Sequence, residues 1–236
     1  MVGKWGNGHI TASEGIYNVL LNGTTKKSAA TASILIILSY IATAVVSADS
    51  AASYLHTIAD KSPQFWITII ILAAFAILSL FGIRDLEFVA ILLFFHHMFV
   101  MLLLALMGIY AWLKIGTSVI KENWSAAPKS NNYASDLWYG YSSAILGVTG
   151  FESASNFVES QTRDAFPKAL RNIWLLLSIQ NVAIELILTG IVPMSEITPE
   201  TIENALTLMA DKTGFSWLSK WVAVDAIVVL SGAVLT

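Results

Sequence analysis

Between Phe65 and Gly82 the chain runs for 18 residues without a charge, through Ile69-Ile70-Ile71-Leu72-Ala73-Ala74-Phe75. At 1.5 Å per residue, a helix of that length just crosses the hydrocarbon of a bilayer. In such a solvent each backbone amide must find its partner inside the segment, so a helix is the default form of the run. Similar runs occupy 29–58, 87–113, 137–159, 173–192 and 217–236, and together with 65–82 they predict about six membrane helices. The composition agrees: 56% of residues are hydrophobic, 12% are charged and mean hydropathy is +0.69, which is more apolar sequence than a soluble core uses. The expected fold class is therefore an all-α multi-pass membrane protein.

The same figures exclude several classes. A net charge of -3 leaves no basic face for nucleic acid. With no cysteine there is no disulfide framework, no thiolate metal site and no cysteine nucleophile, and no cofactor is called for. Residues 1–28 read as a polar, interfacial segment: Met1 to His9 lacks the apolar core of a cleaved signal, and Thr11 to Leu21 is too short to span. Residues 29–236 form a single membrane domain, with extramembrane loops at 114–136 and 193–216. In the second loop Ile197, Ile202, Leu206 and Met209 recur at helical spacing, and in the first Asn123-Trp124-Ser125 is a glycosylation sequon, a tripeptide common by chance. The turn Ile83-Arg84-Asp85-Leu86 is so short that the spans on either side are expected to form a helical hairpin. The last apolar run is still running at Thr236, which suggests a truncated chain.

Charge says little about orientation. If the loops alternate sides, Lys4, Lys26, Lys27, Arg84, Arg163, Lys168 and Arg171 fall on one side and Lys61, Lys114, Lys121, Lys129, Lys212 and Lys220 on the other. The arginines all lie on the first side, which slightly favours that side as cytoplasmic.

The span 137–159 differs from the rest. Gly147-Val148-Thr149-Gly150 sits near its middle, followed by Phe151, Glu152 and Ser153. An unpaired amide in hydrocarbon costs several kcal/mol, on the order of 2–7, so irregular backbone at that depth survives only against protein, water or a ligand. Two half-helices meeting there would offer N–H groups to a carboxylate and carbonyls to an ammonium. The plainer reading is that the two glycines let a neighbouring helix pack closely.

Thr149-Gly150-Phe151-Glu152-Ser153, then Glu159, then Phe166-Pro167-Lys168-Ala169-Leu170-Arg171-Asn172 resembles the sixth span and following loop of the amino acid/polyamine/organocation permeases. Gly82-Ile83-Arg84-Asp85 is similar to that superfamily's junction between spans four and five, and Ser39-Tyr40 through Tyr54-Leu55 to its third span. The resemblance covers nearly the whole chain, as spans three to eight. It implies part of a leucine-transporter-like fold of two inverted five-helix repeats, with substrate held at the unwound middles of spans one and six. Gly147, Val148, Thr149, Gly150, Phe151, Glu152 and Ser153 would then contact the substrate, an amino acid or amine. The sequence departs from the pattern in having no first span with a glycine-rich break, so this chain by itself is not expected to transport.

Two coupling groups are implied beside that arc. Glu152 is either a coupling carboxylate or a staple for the broken helix. His97 lies closest to a position in span five where the superfamily often has a basic residue, and an imidazole there could take and release a proton. The alternative is a buried neutral histidine bonded to a carbonyl. His96 and His97 are adjacent, so their rings point about 100° apart, which counts against one shared metal ion or haem. Asp49, Glu185 and Asp225 are further intramembrane acids, the first two toward span ends where they can reach water.

The leading functional reading is a secondary active transporter in the plasma membrane or an intracellular one. It would move amino acids by alternating access, coupled to H+, Na+ or a counter-substrate. The alternative is an amino-acid sensor or non-transporting partner that keeps part of the site. An intramembrane enzyme is disfavoured, because the sequence carries no serine nucleophile motif matched to a histidine, no paired aspartates and no metal-ligand spacing.

Overall fold

The computed structural model describes residues 20, 21, 23–59, 63–80, 87–126, 132–146 and 165–234. These fold as helices: α1 (Lys26–Ile58), α2 (Gln64–Leu80), α3 (Glu87–Ile115), α4 (Ser118–Ala126), α5 (Tyr133–Leu146), α6 (Ala165–Ile191), α7 (Pro199–Ile202), α8 (Ala205–Lys212) and α9 (Ser216–Ala233). Among the described residues, four segments are long and apolar enough to cross a membrane: Lys26–Ile58, Ala90–Ile115, Ala165–Ile191 and Ser216–Ala233. Gln64–Ile77 is equally apolar but shorter. Of the span expected at 137–159, α5 covers the first part as far as Leu146, and the remainder lies outside the described residues.

Local chemistry sets several boundaries. The Thr25 side chain caps α1 by accepting from the Ser28 amide at 3.3 Å. Gly116, at φ 72°, ends α3 and donates its N–H to the Trp112 carbonyl at 2.8 Å, the left-handed exit that glycine adopts without a Cβ penalty. Helix α6 begins at Ala165, so Lys168 and Arg171 ride on its first turns, with Pro167 where a missing N–H costs nothing.

The stretch 114–136, read from sequence as a loop, contains α4. Its Asn123 donates both Nδ2 hydrogens, at 2.9 Å each, to the carbonyls of Thr189 and Val192 at the end of α6, and accepts from the Met194 amide at 2.7 Å. Those carbonyls have no partner within their own helix. The sequon asparagine is thus the C-terminal cap of a neighbouring helix. The amphipathic stretch 195–216 is broken into a 3-10 turn, α7 and α8; Met209 is fully buried, whereas Ile202 is exposed.

Packing builds two seams around α9. On one side α3, α6, α8 and α9 converge on Val100, Leu104, Ile187, Ile191, Met209, Leu218 and Val222. On the other, α1 lies against α2 and α9, where it buries Ala48, Ala51, Ala52 and Tyr54, with Tyr54 beside Ala223 and Ala226. Small residues let backbones approach closely, which is how helices associate where lipid offers no hydrophobic gain. The outer face of α1, with Ile34, Leu35, Ile37, Leu38, Ile41, Val45 and Val46, stays exposed as a lipid-facing stripe would.

The expected hairpin between the second and third spans is not the principal packing. Among the described residues, α2 packs mainly against α1, and α3 against α6, α9 and α8. A short connection permits a hairpin contact, but the small-residue seams place both helices against other partners.

Glycines set the α3–α6 distance. A Cβ on Gly190 would stand 2.8 Å from the Trp112 ring, and one on Gly108 would stand 2.6 Å from Ile187 Cγ2. We expect Gly190→Val to cost about 1–3 kcal/mol by overpacking, more than the few tenths that Val gains over Gly in helix propensity. Gly232→Val, with nothing within 4 Å of its Cβ, is the control. Thermal unfolding in detergent should show a lower Tm for the first only; equal Tm values would mean that α3 and α6 are not this close.

Candidate functional site

His96 and His97 sit on α3, and Asp225 lies near the middle of the 18-residue α9. Helices α3 and α9 pack together, and the Asp225 carboxylate, only 3% exposed, is buried in the seam beside Val222 and Ala226. His96 Nδ1 stands 2.9 Å from Asp225 Oδ1, and His97 Nδ1 stands 2.7 Å from Asp225 Oδ2. Adjacent helix positions diverge by about 100°, but the two oxygens of one carboxylate diverge as well, so both rings reach it from either side. An ionised carboxylate only accepts hydrogen bonds, and toward it each imidazole would donate through Nδ1–H.

Burying a carboxylate in an apolar seam is costly unless it is paired and hydrogen-bonded. Two ring N–H groups meet that requirement. Trp221, one turn before Asp225 on α9, donates its indole N–H to His96 Nε2 at 3.1 Å. Its ring also lies against Phe99 and Trp217, with centroids 5.8 and 5.9 Å away. His96 is 41% exposed and His97 24%.

The other acids behave differently. Asp49 accepts from the Thr68 hydroxyl at 2.9 Å, a bond between α1 and α2. Glu185 is on the exposed face of α6. Among the described residues neither forms an ion pair, and no cluster of three or more His, Asp or Glu side chains is arranged to hold a metal ion. The residues expected to contact substrate, Gly147, Val148, Thr149, Gly150, Phe151, Glu152 and Ser153, lie outside the described residues, as do Glu159 and Arg163.

Sequence reasoning singled out His97 and noted Asp225 without a partner. It missed that His96 joins them and that Trp221 completes the group. A usable signal was present: Trp221 and Asp225 stand four apart on one face of an apolar run, and an acid in such a run needs a donor from a neighbouring helix.

Asp225→Ala removes the acceptor of two ring N–H groups, at about 1–3 kcal/mol for the more buried His97 and less for the exposed His96. His97→Gln should cost less, since the amide can still donate to the carboxylate. Melting curves in lipid nanodiscs are expected to fall in the order wild type, His97→Gln, Asp225→Ala; an Asp225→Ala melt equal to wild type would mean that the centre does not form.

The family model described as amino acid permease matches residues 8–236 of the chain. No curated protein and no solved structure matches it.

Proposed function

The chain belongs to the amino acid permease family, and from that premise we propose that it serves secondary active transport of amino acids, by alternating access and coupled to protons. The carrying observation is the family match over residues 8–236, nearly the whole sequence. It makes this an integral membrane protein, and we assign it to the plasma membrane. Within that reading the chain supplies spans three to eight of two inverted five-helix repeats. The substrate's amino and carboxylate groups are held by the backbone of Gly147, Val148, Thr149, Gly150 and Phe151, with Glu152 and Ser153 beside them.

The His96–His97–Asp225 centre favours a proton over sodium as the coupled ion. With both imidazoles neutral the centre carries one negative charge; one added proton makes it neutral. Charge inside a bilayer is costly to desolvate or displace. A proton would therefore change the cost of moving α3 against α9, which is the requirement for tying proton movement to a conformational cycle.

Uptake of labelled amino acids by proteoliposomes carrying the full-length gene product tests the reading. Inward flux driven by an imposed pH gradient is expected, and His97→Gln should remove the gradient dependence while leaving substrate binding intact. Binding without flux would replace the transporter with an amino-acid sensor. Flux with unchanged pH dependence in His97→Gln would take His97 out of the coupling.

A further inference from the structure

His96 and His97 bond the same carboxylate, but only one of them meets a second donor. Indole Nε1–H donates and cannot accept, so at 3.1 Å from Trp221 the Nε2 of His96 must present its lone pair. The remaining hydrogen of that ring then lies on Nδ1 and goes to Asp225 Oδ1 at 2.9 Å. A second proton on His96 would set N–H against N–H and break the indole bond. Among the described residues no second donor stands against His97 Nε2.

We infer that Trp221 is a positioning residue: by donating to His96 Nε2 it holds the neutral His96 ring in the Nδ1–H tautomer, aimed at Asp225 Oδ1. The surroundings leave that choice to Trp221. The helices packed on α3 carry Lys168, Arg171 and Glu185 on α6, Asp211 and Lys212 on α8, and Lys220 and Asp225 on α9. Of these only Asp225 pairs with either imidazole among the described residues, and Lys212 is engaged with Glu196 at 2.6 Å. Asp225 treats the two rings nearly alike, one to each oxygen, whereas Trp221 touches one ring only.

Any consequence for transport rests on the proton-coupled reading above, but the tautomer does not, and the test separates them. The chain has four histidines, so purified protein labelled with 15N-histidine in nanodiscs gives a small spectrum, assignable by His9→Gln, His56→Gln, His96→Gln and His97→Gln. At neutral pH the neutral wild-type His96 ring should show a protonated Nδ1 and a bare Nε2. Trp221→Phe keeps a ring beside Phe99 and Trp217 but removes the donor; His96 Nε2 should then carry the hydrogen in a measurable share of the molecules. Protonation of His96 Nε2 in the wild type would overturn the inference, and so would a His96 spectrum unchanged by Trp221→Phe. Spectra as expected together with pH-independent uptake would support the role of Trp221 and overturn the coupling reading instead.

Discussion

A carboxylate in an apolar helix has to be supplied with donors by the protein, because neither lipid nor a neighbouring leucine can provide them. Asp225 imposes that condition on the structure. Its oxygens require two N–H groups, and the side chains that meet the need are adjacent on α3. The bonds therefore constrain the register of α3 against α9 as well as their separation, since moving α3 by one residue along its axis would withdraw one of the two rings. Trp221, itself against Phe99 and Trp217, lies beside the His96 ring. A polar centre of this kind, with a donor on each carboxylate oxygen, narrows the arrangement in a way that aliphatic packing does not.

The rest of the packing is compatible with that register because it relies on small contacts. Ala48, Ala51 and Ala52 are buried on α1, and Gly108 and Gly190 admit Ile187 and Trp112 between α3 and α6. Close approach without bulky interdigitation is the usual way for helices to associate in lipid. The end of α6 is held separately, by the side chain of Asn123, which fastens a short helix to Thr189 of α6 and to Val192 and Met194 just after it by three hydrogen bonds.

Family membership and the centre address different parts of function. The amino acid permease match bears on what is moved, while the His96–His97–Asp225 group bears on what could drive the movement. The proposed cradle at Gly147–Ser153 follows α5 in the sequence, whereas the His96–His97–Asp225 group lies between α3 and α9. Helix α3, which carries the histidines, packs against α6, α8 and α9.

Helical class and membrane residence were legible in the sequence, because a long apolar run in hydrocarbon satisfies its own backbone as a helix, which leaves run length as the signal. The glycine-phenylalanine-glutamate-serine signature carried the family. Pairing was not legible. The turn at 83–86 pointed to a hairpin between α2 and α3, yet small-residue seams set α2 on α1 and α3 on α6. Asn123 read as a sequon, yet it caps a helix more than sixty residues away in sequence. His97 could be chosen from its place in a span, but its partner Asp225 and the Trp221–His96 bond join residues more than 120 apart, and a one-dimensional pattern holds no information about which helix faces which. The sequence determined what each segment must be, since that depends on solvent and backbone alone. Only the tertiary structure decided which buried polar groups meet, because that depends on the rotation and register of helices set by packing along their whole length.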